Sequence, residues 1–149
     1  MKIKLIAITV LALFCAKAFS EVRISQDFVK AIAVVESGCN DEAVGTSCGC
    51  IGRYQVSQIC VDEVNQKFGT SYVLSDMHDP EKAEDVLRKY LTHWGTHYEN
   101  KTGNAATDEV LARIWNGGPA GYGKDCTVEY WNKVKEELDK LKEDSDDEN

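Results

Sequence analysis

Apolar residues recur at helical spacing in five stretches, separated by polar and glycine-rich segments. Phe28, Ala31, Ile32 and Val35 share one face behind Ser25, which can cap a helix, and Gly38 stops it. Ser57 can cap a second helix carrying Cys60, Val64 and Phe68, ended by Gly69. Asp79 and Pro80 open the clearest stripe: Ala83, Val86, Leu87, Tyr90, Leu91 and Trp94. Thr107 begins a fourth helix with Val110, Leu111, Ile114 and Trp115, which halts at Asn116-Gly117-Gly118-Pro119. Thr127 caps a fifth, with Trp131, Val134, Leu138 and Leu141 on one face. Residues 44–56 are different, glycine-rich and β-prone, and read as a short hairpin-like region. The expected fold is α+β, mainly α. It is one domain over residues 21–142 with a small β excursion around 44–56.

The first twenty residues stand outside this pattern. Lys2 and Lys4 precede an apolar run from Leu5 to Ala16, and small residues (Ala16, Ala18, Ser20) follow. This is a secretory signal peptide, too short and wrongly flanked for a spanning helix. The protein is expected to be secreted, extracellular or periplasmic. The chain carries a net charge of -8, and removing the leader with its three lysines leaves -11. Such a balance argues against gripping a nucleic-acid backbone, which needs a basic surface. The last fourteen residues hold eight acids and two lysines, and residues 143–149 read as a solvated, disordered acidic tail.

Of six cysteines, Cys15 leaves with the leader, and Cys39, Cys48, Cys50, Cys60 and Cys126 remain. In a small secreted domain these read as disulfide candidates. Five is odd, so at most two internal bridges form. Cys48 and Cys50 read as poor partners for each other. The expected pairing joins Cys39 to one of them and Cys60 to Cys126, although the sequence does not fix it. The spacing of paired CxxC or His-x-His ligands is missing, and His93 and His97 lack a third ligand, so no metal or cofactor is expected. Asn100-Lys101-Thr102 is a glycosylation sequon, meaningful only in a eukaryotic host.

Four polar features break the apolar pattern. Glu36 closes the apolar face of the first helix, directly after Val34 and Val35. A carboxyl in apolar surroundings is pushed toward its protonated form and can donate a proton at neutral pH. From position alone, though, it reads as a helix-end surface charge. Gly52-Arg53-Tyr54-Gln55 alone reads as a strand end, and Trp115-Asn116-Gly117-Gly118-Pro119 as a helix stop and tight turn. Tyr90 alone reads as a core aromatic.

Their order changes this reading. Glu36-Ser37-Gly38, then Gly52-x-Tyr54-Gln55, then Tyr90-Leu91, then Trp115-Asn116-Gly117-Gly118 resembles the lysozyme-like superfamily, specifically the soluble lytic transglycosylases of peptidoglycan. The stretch AGYGKDCTVEYWNKV and the run from Glu36 to Cys39 also resemble invertebrate-type lysozymes. The resemblance covers about residues 26–136. It implies a lysozyme-like fold with a polysaccharide cleft. It implies Glu36 as the general acid at the glycosidic oxygen between N-acetylmuramic acid and N-acetylglucosamine. Ser37 would bond near that carboxyl or the sugar. Tyr54 and Gln55 would line the cleft, and Tyr90 would bring a hydroxyl near Glu36. Trp115 would be a stacking platform or core, and Asn116 and Gly117 would let the backbone approach a sugar.

Invertebrate-type lysozymes carry an Asp seven residues before the Gly of their Gly-x-x-Gln segment, and here Gly45 stands there. A hydrolase needs a second carboxylate. Asp41 and Glu42 are the nearest candidates, and both read as solvated loop charges. Lytic transglycosylases manage with one Glu, so the missing Asp favours that chemistry or substrate-assisted hydrolysis. The expected substrate is peptidoglycan or a chitooligosaccharide, and the protein is expected to be a monomer without stable membrane insertion. The alternatives are an inactive glycan-binding or inhibitor protein on the same fold, and a disulfide-stabilised structural protein without a cleft.

Overall fold

The structure is a computed structural model that describes residues 21–147, with side chains described to 143. The leader expected at 1–20 lies outside the described residues. Five helices form: α1 (Gln26–Ser37), α2 (Gln58–Phe68), α3 (Pro80–Thr102), α4 (Asp108–Gly117) and α5 (Val128–Asp147). Short 3-10 turns cover Leu74–His78, Gly121–Gly123 and Asp125–Thr127.

The expected caps set four of the five helix starts. Ser25 Oγ accepts from the Phe28 amide (3.1 Å), and Ser57 Oγ accepts from the Cys60 amide (3.3 Å). The Asp79 carboxylate takes the Glu81 and Lys82 amides ahead of Pro80, and Thr107 takes the Val110 amide. Each side-chain acceptor satisfies a donor that the first helical turn leaves open. Gly38, Gly69 and Gly103 end α1, α2 and α3 in the left-handed conformation.

Thr127 departs from the expectation. It lies in the turn before α5, fully buried, and its hydroxyl sits 2.8 Å from the carbonyls of Gly121 and Lys124. It also accepts from Arg113 Nε at 3.0 Å, so it ties the turn to α4 rather than capping α5. Helix α5 also runs to Asp147, into the segment read as a disordered tail. Leu138 is buried against the core, Leu141 packs on it, and Lys135–Asp139 and Lys140–Glu136 ion pairs support the outer face.

The core joins stripes from all five helices: Phe28 and Ile32 from α1, Val61 and Val64 from α2, Leu87 and Leu91 from α3, Leu111 and Ile114 from α4, and Val134 from α5. All of these are at most 1% exposed. Helix α1 packs on α5, α5 on α4, and α3 on both α2 and α4. Met77, on the 3-10 turn that the sequence pattern did not show, fills the same core at 0% exposure.

The β excursion amounts to two isolated antiparallel bridges, Val44 with Ile51 and Ile51 with Val56, and no strand forms among the described residues. Turns interrupt it before a ladder can extend. Gly52 (φ +77°) and Gln55 (φ +50°) both sit in the left-handed region within five residues of chain. The described chain is thus mainly helical.

Candidate active site

Glu36 occupies the last turn of α1 because the apolar stripe behind it is consumed by the core. The carboxyl then emerges where α1 packs on α5. Tyr130, on the first turn of α5, donates its hydroxyl to Glu36 Oε1 at 2.7 Å. The Trp115 indole, from α4, is a second donor beside the carboxyl. Glu36 keeps some exposure to the cleft, while protein atoms surround the rest of it. Burial pushes its pKa above the ordinary 4.5, and the Tyr130 and Trp115 hydrogen bonds pull it back only in part. Tyr130 in turn is held well above its ordinary value by burial and by the facing carboxyl.

The cleft in front of Glu36 has a volume of about 550 Å3. Trp115, Asn116, Gly118 and Pro119 line it from the end of α4, Tyr90 from α3, and Ser57, Ile59, Cys60 and Glu63 from α2 and its cap. Gln55, Cys48 and Cys50 line it from the loop before α2. Tyr90 and Trp115 meet edge to face with ring centroids 5.6 Å apart.

The structure thus brings together Glu36, Gln55, Tyr90, Trp115 and Asn116 of the residues singled out in the sequence. Three others stand elsewhere. Ser37 does not line the cleft: its hydroxyl donates to the Arg53 carbonyl at 3.0 Å and accepts the Asn40 amide at 3.0 Å, fastening the end of α1 to the next loop. Tyr54 is 2% exposed and lines a second, smaller cavity of about 280 Å3, beside Glu84. The left-handed backbone at Gln55 turns neighbouring side chains to different faces, so only Gln55 reaches the cleft. Gly117 lies in the last turn of α4, where a Cβ would come within 2.6 Å of Thr127 Cγ2, so packing explains its lack of a side chain. The hydroxyl at the Glu36 carboxyl belongs to Tyr130, not to Tyr90. Only the Tyr-Trp-Asn segment hinted at Tyr130, because its partner lies 94 residues away.

The cysteines pair differently from the expectation. Cys48 and Cys50 form a disulfide, and Cys39, Cys60 and Cys126 are free. Gly49, at φ +63°, folds the intervening residue back and sets the two Cα atoms 5.2 Å apart. Cys60 is buried and Cys126 exposed, and the expected bridge between them is not formed. Burial pushes the Cys60 thiol up to about 12, which keeps it protonated.

Neither loop carboxylate serves the cleft. Arg53 donates from Nε and Nη2 to both Asp41 oxygens (2.5 and 2.7 Å) and holds that carboxyl below its ordinary value. Glu42 is 84% exposed, with His78 Nδ1 at 3.7 Å. A side chain at Gly45 would meet Gln55 Oε1 at 2.7 Å and Cys48 Sγ at 3.0 Å, so Gln55 fills the space an acid there would need. The second carboxyl that lines the cleft is Glu63. No group of three or more His, Cys, Asp or Glu side chains among the described residues is placed to hold a metal ion. No described helix is long and apolar enough to cross a membrane.

Comparison with known proteins agrees with this architecture. A family model described as the transglycosylase SLT domain matches residues 14–134. A lysozyme of Magallana gigas is 32% identical over 124 residues, covering 80% of this chain and 84% of that protein. Invertebrate-type lysozyme 6 of Caenorhabditis elegans is 30% identical, covering 79% of this chain and 90% of that protein. In fold, the chain is similar to the crystal structure of Tapes japonica lysozyme, at a TM-score of 0.64 and 24% identity over 78% of this chain and 92% of that one. It is equally similar (TM-score 0.64) to a chain in the structure of Aeromonas hydrophila PliI in complex with Meretrix lusoria lysozyme. With a family match over most of its length and two lysozyme relatives behind it, the chain belongs to the transglycosylase SLT domain family, within the lysozyme-like superfamily.

Proposed function

We propose that the protein is a secreted glycosidase that cleaves the β-1,4 bond between N-acetylmuramic acid and N-acetylglucosamine in peptidoglycan, with Glu36 as the general acid. The observation that carries this reading is a carboxyl at the cleft, pushed toward its protonated form by burial and oriented by Tyr130. With Tyr130 on Oε1, the other oxygen carries the proton for the leaving glycosidic oxygen. As that C–O bond breaks, positive charge builds on the sugar ring. The acetamido oxygen of the same sugar can attack the ring carbon, so no protein nucleophile is required. Glu36, now ionised, then takes the proton of whichever hydroxyl completes the reaction, water or the sugar's own 6-hydroxyl. Gly45 in place of the lysozyme Asp, and the engagement of Asp41 by Arg53, favour this single-acid course, by transglycosylation to a 1,6-anhydro product or by substrate-assisted hydrolysis. Trp115 and Tyr90 offer the aromatic surface against which a pyranose ring packs, and Gln55 and Asn116 offer amides for its hydroxyls.

Mass analysis of the soluble products from purified peptidoglycan tests the proposal. The wild type should release anhydro-muropeptides, and Glu36→Gln should lose activity by about 10²–10⁴-fold, the usual worth of a positioned acid. Reducing-end products, also lost in Glu36→Gln, would mean hydrolysis. No products from either protein would leave an inactive glycan-binding role.

A further inference from the structure

The cleft contains two carboxyl groups, Glu36 and Glu63, and none of its lining residues is Lys, Arg or His. Glu63 stands on α2, lines the cleft with Trp115, is partly exposed, and makes no hydrogen bond or ion pair with another described residue. It lies beside Tyr90 and Cys60, whose hydroxyl and thiol its charge pushes up. Glu36 is engaged by Tyr130 from α5 and Trp115 from α4, whereas Glu63 enters the same cleft from α2 and bonds neither, which leaves it open to the sugar beside the one whose bond Glu36 protonates. The cations near Glu63 are Lys67, one turn further on α2, and His93 on α3. Neither lines the cleft, and burial and Lys67 lower the His93 pKa, favouring its neutral form.

An unpaired carboxylate on the wall of a sugar cleft favours a cation on the sugar. A neutral acetamide offers it one ordinary N–H donor. A free amine at the same carbon is an ammonium and makes a charge-assisted bond, roughly twice as strong. An added carboxylate, such as the lactyl group of muramic acid, is repelled there. Building on the glycosidase reading, we infer that Glu63 makes the cleft select glycans carrying an N-deacetylated, free-amine hexosamine in the subsite beside the cleaved bond. The sugar at the cleaved bond keeps its acetyl group, because the reaction uses it.

Binding tests this without requiring turnover. The variants are Glu36→Gln, which keeps the neutral form of the acid, and Glu36→Gln with Glu63→Gln. Titration calorimetry at a pH where the sugar amine is protonated and Glu63 ionised gives affinities for chitotetraose and for tetra-N-acetyl-chitotetraose. Glu36→Gln should favour the free-amine oligomer, and Glu63→Gln should lower that preference by about tenfold, with the acetylated oligomer changed less than about twofold. Raising salt should erode the preference in Glu36→Gln only. Glu42→Gln, outside the cleft, should leave it intact. An unchanged preference in the double variant overturns the inference, and so does an equal loss for both oligomers. Measured this way, the inference stands or falls separately from the glycosidase reading, which wild-type turnover decides.

Discussion

Tyr130 controls where Glu36 titrates. Its hydroxyl bonds the carboxyl at 2.7 Å and favours the ionised form, against a burial effect that is larger. Removing the donor in Tyr130→Phe should raise the Glu36 pKa further. The alkaline limb of the pH profile of kcat/KM should move up, while the limb stays fixed in Tyr90→Phe. The same raised pKa has a stability consequence. Its contribution is fully present below the ordinary value of 4.5 and is lost as pH rises through the folded value. Thermal melts should therefore show Glu36→Gln gaining on wild type between those two pH values, and equal to it below them. At this scale five of the residues singled out in the sequence, Glu36, Gln55, Tyr90, Trp115 and Asn116, line one cleft. The sequence did not reveal Tyr130, because a hydroxyl reaching across 94 residues leaves no local periodicity. It misplaced Tyr54, which lines a separate cavity beside Glu84 while its neighbour Gln55 lines the cleft.

The first four helices were legible because each has a local start signal, Ser25, Ser57, Asp79 or Thr107, and the first two also a glycine stop, Gly38 and Gly69. The connections were not, since their structure depends on distant backbone. Gly121 is the clearest case. A Cβ there would stand 1.9 Å from the Arg113 carbonyl oxygen, so the 3-10 turn before α5 lies directly against α4. Thr127 secures the same junction by bonding Arg113 and the Gly121 carbonyl. Gly121→Ala should cost about 3 kcal/mol or more by forcing backbone apart. Thr127→Val, similar in volume, should cost about 1–3 kcal/mol by leaving buried partners unbonded. Urea unfolding measures both. Because this junction carries α4 and α5 together, and with them Trp115 and Tyr130, the milder Thr127→Val should also lower kcat. A variant that loses stability with undiminished kcat would show that the junction does not position the site.

Over the whole molecule, acidity sets the encounter with substrate. The chain carries -8, and Asp and Glu outnumber Lys and Arg by 25 to 17. Intact bacterial walls are anionic, so approach is opposed by repulsion over roughly a Debye length, about 30 Å at 0.01 M salt and 10 Å at 0.1 M. The rate on intact cells should rise as salt increases across that range, and the rate on short neutral oligosaccharides should hardly change. A rate on cells that climbs steeply as salt falls would contradict this account. An acidic protein with a protonation-dependent acid fits digestion or wall remodelling at mildly acidic pH better than attack on intact cells at neutral pH.

Everything proposed for catalysis depends on Glu36 being a protonated acid at working pH. Carboxyl-carbon NMR of protein labelled at glutamate, titrated in wild type and assigned with Glu36→Gln, reads that state directly. The account predicts one glutamate signal titrating clearly above the ordinary 4.5, absent in the variant, at the pH where wild-type kcat/KM on peptidoglycan falls away. A Glu36 signal that titrates at or below 4.5, or peptidoglycan cleavage that persists undiminished in Glu36→Gln, would contradict it.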